Sequence, residues 1–276
     1  MNRLITNRPS MNSLIPRRLI MNRTGLLSMV LYLAAATTAA PATAASDTSP
    51  AAATGTPPDL ATRIERLEDI HDIQNVLGYY EEYQSALEFD RVWPLFALEQ
   101  SDVRWEVGPG AYVGGVTVKG ALMAQEKRPN DRQWLAIHRG EMHVHTLATP
   151  IIVIAGDGQT AKATFDSPGL ETLSGTTHKP DARLGWCRYG VDLIKTPQGW
   201  KIWHMHVYGV IFSPATQSWV DAPGFPPKPK STDVGGEWPP FSRPQSDVWI
   251  YTGKDIPPLL PRPPEPYRTF SETFSY

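Results

Sequence analysis

Hydrophobic side chains recur every three or four residues in the first part of the chain that can fold. The series runs from Leu60 to Leu87 and follows Asp59, a residue type that suits a helix N-cap. This spacing predicts one amphipathic helix, with Tyr80 on its buried face and Glu81 pointing elsewhere. A second short helix is predicted over the stretch FDRVWPLFALE.

The period of the hydrophobic positions changes to two after this helical part. Five stretches alternate in this way, separated by turns that contain Gly or Pro: DVRWEVGPG, HVHTLATPIIVIAG, GQTAKATFDSPGLETL, LGWCRYGVDLIKTP and GWKIWHMHVYGVIF. A short helix and an excursion are predicted between the first two strands. Helices followed by a run of strands indicate an α+β fold, in which a mostly antiparallel sheet wraps around the helices.

The N-terminal part differs from this middle part. Residues 1–44 combine several arginines, a short apolar run from Gly25 to Ala36 and a small-x-small site, which predicts a secretory signal cleaved before Ala45. The apolar run is too short to span a bilayer, so no membrane contact is expected after the signal is removed. Met21 is an alternative start that gives a signal of more usual length. Residues 45–58 are predicted to be a disordered linker, and the mature protein is expected to be periplasmic or secreted.

The folded domain is predicted to span residues 59–220, and the composition changes again beyond it. Residues 221–276 hold 13 of the chain's 27 prolines together with many aromatic residues. Proline neither continues a helix nor donates to a sheet ladder, so this part is predicted to be an extended arm. Its aromatic content indicates that the arm lies on a protein surface, either its own or that of a neighbouring subunit. A disordered tail is the alternative.

Composition and charge argue against several classes of function. The formal net charge is −2, which indicates no broad basic surface for nucleic acid or for an anionic membrane. The single cysteine, Cys187, can form no intrachain disulfide and no cysteine-based metal cluster. The sequence has neither a phosphate-binding or dinucleotide-binding glycine motif nor the Gly-x-Ser-x-Gly motif of serine hydrolases.

Four of the chain's seven histidines lie in two His-x-His pairs on predicted strands. Alternation places His143 and His145 on one face of their strand, and it places His204 and His206 on the same face of the last strand as Trp200. These imidazoles could bind a metal ion, act as acid–base catalysts near neutral pH, or be structural. We favour acid–base chemistry and predict neither a metal site nor a cofactor.

The order and spacing of several stretches resemble those of one protein family. The stretches are IERLEDIHDIQNVLGYYEEY, FDRVWPLFA before DVRWEV, IIVIAGDGQTAKATF and GWCRYGVDLIKTPQGWKIWH. From about Ile64 to Phe212 the sequence resembles the SnoaL-like branch of the NTF2-like superfamily, which includes relatives of scytalone dehydratase, ketosteroid isomerase, polyketide cyclases and diarylpropane lyases, as well as binding proteins. The resemblance implies a cone-shaped α+β fold, but it does not name a reaction.

The resemblance also implies where a site would lie. Tyr80 matches the tyrosine of the opening helix, and His145 matches a strand histidine that is common in the family. The predicted catalytic residues are Tyr80, His143, His145, His204 and His206. The residues predicted to bind a substrate are Trp105, Lys127, Trp134 and Trp186. Ser85 occupies the place where many members carry an aspartate, so no carboxylate base is expected at that position.

Histidine and tyrosine side chains in one pocket suit removal of a proton beside an activated carbon, followed by loss of water or an aldehyde, or by isomerisation. We therefore expect a cofactor-independent lyase, dehydratase or isomerase that acts on a hydrophobic, aromatic or polycyclic hydroxylated small molecule. One alternative is a non-catalytic binding module with the same pocket, and another is an assembly protein that uses the arm. The family resemblance implies a homodimer or homotrimer.

Overall fold

The computed structural model describes residues 59–173, 181–221, 239–247 and 249–276. The predicted signal, residues 1–44, and the predicted linker, residues 45–58, lie outside the described residues, as does the first part of the predicted arm. What is described has the predicted α+β organisation, with a long helix at the start and a large sheet after it.

The helical part is dominated by α1, Leu60–Ser85, whose N-cap Asp59 accepts a hydrogen bond from the Thr62 amide at 2.8 Å. The shorter helices are α2 (Phe89–Val92), α3 (Gly115–Met123) and α4 (Arg132–Ile137), and 3-10 turns cover Trp93–Leu95 and Phe270–Glu272. None of the helices in the described ranges is long and apolar enough to cross a lipid bilayer.

Only the later part of α1 is covered by the sheet. Leu60 and Leu67 are 68% and 66% exposed, so the prediction that they belong to the buried face was wrong. Burial begins at Asp69, whose carboxylate accepts hydrogen bonds from Trp200 and Lys195 of the sheet. The hydrophobic period identifies the apolar face of a helix, but it does not tell how far a neighbouring sheet extends along that face.

In the part of the chain that the structure describes, eight strands form one mixed sheet. They are β1 (Arg104–Val107), β2 (Gly110–Val113), β3 (Met142–His145), β4 (Ala148–Ile154), β5 (Thr160–Leu173), β6 (Asp181–Thr196), β7 (Gly199–Pro214) and β8 (Arg243–Pro244). Their order is β3-β5-β6-β7-β1-β2-β8, and β4 also pairs with β5. Most neighbours are antiparallel, whereas β1 and β7 are parallel. The stretch predicted as one strand, HVHTLATPIIVIAG, is divided between β3 and β4.

We name the side of the sheet that packs on α1 the helix face. Ile73, Leu77 and Tyr80 of α1 belong to one hydrophobic core with Val191 of β6 and Met205 of β7. Burial of these side chains contributes roughly 1.5–3 kcal/mol each for the large aliphatic residues, which holds the helix on the sheet.

We name the opposite side the arm face, because it carries the described part of the C-terminal arm. Tyr251 donates its backbone amide to the carbonyl of Val210 at 2.9 Å, and Gly156 donates to the carbonyl of Tyr267 at 2.9 Å. The described part of the predicted arm therefore lies on its own chain. The domain boundary at residue 220 stays a prediction.

A β-bulge in β7 decides which side chains face which side. Ile202 and His204 pair with consecutive residues of β6, so Trp203 is an extra residue in β7. One extra residue reverses the alternation of the side chains beyond it. Trp200 and Ile202 point to the helix face, whereas His204 and His206 point to the arm face. The expectation that the two histidines share a face with Trp200 was therefore wrong.

Candidate active site on the helix face

The candidate site starts from His145, the last residue of β3. In the register of β3 and β5, His143 lies opposite Glu171 and His145 lies opposite Gly169. Cross-strand partners share a face of the sheet, so these histidines and Glu171 are together on the helix face. His145 Nε2 lies 2.9 Å from Glu171 Oε1, and the His145 side chain is 8% exposed.

The contact with Glu171 determines which nitrogen of His145 is free to accept a proton. A carboxylate accepts a hydrogen bond, so Nε2 carries the hydrogen and Nδ1 carries the lone pair in the neutral ring. Nδ1 is buried and has no hydrogen-bond partner among the described residues. Burial by itself lowers the pKa of His145, but the hydrogen bond and charge of Glu171 and the charge of Glu81 outweigh burial and raise the pKa.

Glu81 of α1 supplies a second buried ionisable group. It is 5% exposed, and neither carboxylate oxygen has a hydrogen-bond partner of normal geometry within the described ranges. Burial raises the pKa of Glu81 to about 7, against the lowering effects of His145 and of the Tyr189 hydroxyl. The prediction that Glu81 points away was wrong. One residue turns a helix by about 100°, and the covered face of α1 is wide enough to include both Tyr80 and its successor.

Aromatic side chains enclose the region around Glu81. Tyr80 accepts a hydrogen bond from Trp105 Nε1 at 3.1 Å, and the Tyr80 and Tyr189 rings meet edge to face with centroids 6.5 Å apart. Burial raises the pKa values of Tyr80 and Tyr189, so both phenols are neutral. Because Tyr80 accepts from Trp105, its own hydroxyl hydrogen remains to be donated.

Two further side chains of the helix face are polar and buried. Ser167 lies opposite Cys187, and Ser167 Oγ has no hydrogen-bond partner in the described part of the chain. Burial, and then the charges of Glu171 and Glu81, raise the pKa of Cys187 to about 12, so the group is a thiol and not a thiolate nucleophile. Buried polar atoms in proteins are normally hydrogen-bonded. A group of such atoms without partners indicates a place where a polar ligand can bind.

His143 continues this polar arrangement toward the end of the sheet. His143 Nε2 lies 2.7 Å from Glu141 Oε1, and His143 Nδ1 lies 3.9 Å from Glu171 Oε2. His138 Nδ1 contacts the other oxygen of Glu141. Burial raises the pKa of Glu141, but the hydrogen bonds from His138 and His143 outweigh burial and hold the pKa at about 2. Among the residues that the structure describes, no group of three or more His, Cys, Asp or Glu side chains is arranged to hold a metal ion.

The sequence profile of the SnoaL-like domain family matches residues 65–206, just over half of the chain. The chain belongs to the SnoaL-like domain family. The match and the observed α+β sheet with its N-terminal helix confirm the predicted NTF2-like fold. No curated protein sequence matches the chain.

Several solved structures are similar to this SnoaL-like domain. One is the hexachlorocyclohexane dehydrochlorinase LinA-type3 from Novosphingobium barchaimii LL02, with 16% identity over 60% of this chain and 99% of that chain, and a TM-score of 0.43. A second is hexachlorocyclohexane dehydrochlorinase LinA type 2, with 18% identity over 55% and 92%, and a TM-score of 0.43. A third is an NTF2-like protein with a cystatin-like fold from Novosphingobium aromaticivorans, with 20% identity over 54% and 86%, and a TM-score of 0.38.

The structure brings together only some of the residues that the sequence predicts for the site of the SnoaL-like domain. Tyr80, His143, His145 and Trp105 lie on the helix face, and Trp134 stacks on His138 with ring centroids 4.1 Å apart. The other two predicted substrate-binding residues are used elsewhere. Lys127 forms an ion pair with Glu88 at 2.6 Å, and Trp186 is 40% exposed on the arm face, where it donates to Asp166.

His204 and His206 are buried on the arm face and are separated from His145 by the sheet. His204 Nδ1 lies 2.9 Å from Asp192 Oδ2 and 2.9 Å from Ser275 Oγ. This is not the arrangement of a catalytic triad, in which the acid and the nucleophile contact opposite nitrogens of the imidazole. His204 therefore connects the arm to the sheet. The five side chains predicted to be catalytic do not share one pocket, because His204 and His206 lie on the other side of the sheet.

Sequence reasoning missed Glu81 and Glu171 as members of the site. Glu171 could have been found, because it lies two residues after Gly169 on a strand with clear alternation and opposite the first His-x-His pair. Glu81 had no such signal. A glutamate beside a second glutamate on a helix normally indicates a solvated surface.

Two buried groups with shifted pKa values are expected to give opposite pH dependences of stability. Burial, followed by the charge of Arg104, lowers the pKa of His206 to about 4, although Glu106 raises it. Between pH 4 and the usual pKa of 6.5, the unfolded chain therefore binds more protons at His206 than the folded chain does. The free energy of unfolding falls by about 3 kcal/mol as the pH falls through this window.

The pKa of Glu81 is raised from 4.5 to about 7, so the folded chain binds its proton more tightly than the unfolded chain does. The resulting stabilisation of about 3 kcal/mol is present at low pH and is lost as the pH rises through 7.

Urea unfolding between pH 4 and 8 separates these contributions. The wild type is expected to show a weak pH dependence from this pair, because the two effects nearly cancel. His206→Gln keeps only the contribution of Glu81, so its free energy of unfolding is expected to rise on acidification relative to the wild type. Glu81→Gln keeps only the contribution of His206, so its free energy of unfolding is expected to fall. Equal slopes for the wild type and both variants would contradict the assignment. His71→Gln, an exposed change on α1, serves as the control.

Proposed function

We propose that this SnoaL-like domain is a cofactor-independent lyase, dehydratase or isomerase whose acid–base pair is His145 and Glu81. One observation carries the proposal. A buried imidazole nitrogen has no hydrogen-bond partner among the described residues, a buried carboxyl group has none of normal geometry, and the two groups are close enough to shift each other's pKa. Strongly perturbed ionisable groups that face a common space are typical of catalytic sites.

His145 is the proposed base. Its Nδ1 lone pair takes a proton from a carbon that lies beside a carbonyl or on an activated ring, and the imidazolium is stabilised by Glu171 at Nε2. The raised pKa of His145 makes it a stronger base than a free imidazole. No cofactor is required when a ketone or phenol of the substrate accepts the electron pair left behind.

Glu81 is the proposed acid. With a pKa of about 7, both its neutral and its ionised forms are populated near neutral pH. The neutral form donates a proton to a departing hydroxyl, which then leaves as water, or returns a proton to a different carbon in an isomerisation. The interaction between Glu81 and His145 allows the imidazolium to return its proton to the carboxylate after each turnover, which resets the pair.

The surroundings of the pair suit a hydrophobic substrate that contains an aromatic ring and oxygen. Tyr80, Tyr189 and Trp105 present ring faces and edges, which favour aromatic or polycyclic compounds. Tyr80 has a hydroxyl hydrogen to donate to a carbonyl or phenolate oxygen, on which negative charge develops in the reaction.

Two further parts of the proposal rest on the sequence alone. The N-terminal residues 1–44 support export to the periplasm or secretion. The family resemblance supports a homodimer or homotrimer. Sedimentation of the purified protein and fractionation of cells that express the full chain test these two points.

A screen in deuterium oxide tests the proposed reaction. Phenolic and polycyclic ketones with a hydroxyl group on the neighbouring carbons are incubated with the protein and, separately, without it. We expect at least one compound to lose water or to take up deuterium beside its carbonyl group only when the protein is present, as seen by mass spectrometry. Tight binding of such compounds with no water loss and no exchange in any of them would instead establish a binding module.

Gly169 offers a test of the position of the His145 ring. A Cβ atom at Gly169 would lie 2.4 Å from His145 Nδ1, so Gly169→Ala displaces the imidazole. Misplacement of a catalytic group by about 1 Å can cost on the order of 10²-fold, and we expect a loss of turnover of that size. Gly185→Ala is the matched control on the paired strand, where the nearest atom to the added Cβ is a carbon of the Phe212 ring at 3.3 Å. Equal turnover of the two variants would contradict the prediction.

A further inference from the structure

Imidazole and carboxylate groups alternate along a row that begins at His145. In order, the groups are His145, Glu171, His143, Glu141 and His138. Glu171 contacts His145 through Oε1 at 2.9 Å and approaches His143 through Oε2 at 3.9 Å. His143 in turn uses Nδ1 toward Glu171 and Nε2 toward Glu141, at 2.7 Å. Each inner group uses a different atom for each neighbour, so each can interact with both of its neighbours at once.

The row begins at its most buried member. The His145 side chain is 8% exposed, whereas the side chains of the other four groups are 15–21% exposed. His145 and His143 both belong to β3, which ends the order of strands on this side of the sheet. His138 is the last member of the row, where it contacts Glu141 and stacks on Trp134. A buried acid–base pair therefore adjoins ionisable groups that are more exposed than His145.

We propose that Glu171, His143 and Glu141 form a proton path between His145 and solvent. The inference rests on the proposed function, in which His145 Nδ1 takes a proton from the substrate. His145 then releases its Nε2 proton to Glu171 Oε1, and the neutral carboxyl group of Glu171 rotates and delivers that proton to His143 Nδ1. His143 releases its Nε2 proton to Glu141 Oε1, and Glu141 gives that proton to water. One proton leaves for each proton taken up, and the His145 and His143 rings then each turn over to restore the starting tautomer, which frees the Nδ1 lone pair of His145. The reverse sequence carries a proton inward.

The step between Glu171 and His143 is the longest of the path. Its 3.9 Å separation is closed by a small rotation of either side chain or by one bridging water. His138 is a positioning residue in this scheme, because its contact holds Glu141 against His143. A path of this kind is needed whenever the departing group leaves as an anion and takes no proton with it, since the proton on His145 would otherwise block the next turnover.

Exchange of the His145 ring proton with water tests the path without any substrate. The full chain is labelled with ¹⁵N-histidine, and the solvent exchange rate of the His145 Nε2 proton is measured by NMR. We expect His143→Gln and Glu141→Gln each to slow this exchange by about 10²-fold, the lower end of what positioned acid–base groups contribute. The exchange rate of the His204 ring proton, on the arm face, is the internal control and is expected not to change.

A role of His143 in proton transfer and a purely structural role predict different effects of its replacement on the exchange rate of the His145 ring proton. If His143 only supports the structure, its replacement loosens the site and leaves the exchange at His145 unchanged or faster, which would overturn the path. The path and the proposed function also fail separately. Slower exchange in His143→Gln together with full turnover in His145→Gln would leave the path in place and remove His145 as the base. Unchanged exchange in His143→Gln together with lost turnover in His145→Gln would remove the path and leave His145 in place as the base.

Discussion

His145→Gln is expected to lower kcat/KM for any compound that the SnoaL-like domain converts by about 10²–10⁴-fold, the usual contribution of a general base. Glutamine fills similar space and its amide can contact Glu171 in place of Nε2, but it has no nitrogen lone pair that accepts a proton near neutral pH. The loss is therefore expected in turnover and not in folding. Steady-state kinetics and thermal unfolding of the same preparation measure the two effects separately.

His71→Gln is the matched control for this change, because His71 is an exposed histidine of α1 away from the site. It is expected to keep the activity and stability of the wild type. The pH dependence gives a second check, since turnover requires the base His145 to be deprotonated and the acid Glu81 to be protonated. A bell-shaped profile of kcat/KM is expected, and its two apparent pKa values belong to the coupled pair His145 and Glu81. Wild-type turnover by His145→Gln would exclude the imidazole as the base.

Much of the fold could be predicted from hydrophobic periodicity. The change from a period of three or four to a period of two separates α1 from the strands. The extent of burial along α1 could not be predicted in this way, because Leu60 and Leu67 look like core residues until the length of the sheet is known. Alternation also assumes a regular ladder, and one extra residue at Trp203 reversed the orientation of His204 and His206.

Less of the candidate site could be predicted, for a related reason. His143 and His145 were predicted to share one face of their strand, and the register of β3 with β5 places both on the helix face. The carboxylates that change the chemistry of His145 come from a helix and from another strand, so no local spacing links them to it. The sequence also did not show where the C-terminal arm packs. The arm covers His204 on the far side of the sheet and gives its ring structural partners there.

Asp192 is the centre of the polar cluster under the arm, and its replacement is expected to have the largest effect on stability. Its fully buried carboxylate contacts Lys162 Nζ and His204 Nδ1, and it also accepts hydrogen bonds from Ser275 Oγ and from the backbone amide of Tyr276 at 3.0 Å each. Asp192→Asn leaves the Lys162 ammonium buried without its counter-charge. Removing one partner of a buried pair costs about 3–5 kcal/mol, and we expect the free energy of unfolding to fall by that amount.

Urea unfolding followed by tryptophan fluorescence measures this loss, and Asp166→Asn is the matched control. Asp166 pairs with Arg188 at 3.0 Å on the same face, but both side chains are about one-third exposed, so the control is expected to cost less than about 1 kcal/mol. Adding Lys162→Met to Asp192→Asn removes the unpaired charge and is expected to restore part of the stability. Similar losses in the two single variants would contradict the assignment. The comparison decides whether the arm is held by a buried charge cluster or only by its aromatic residues, because the rings of Phe274 and Tyr276 remain in place in every variant.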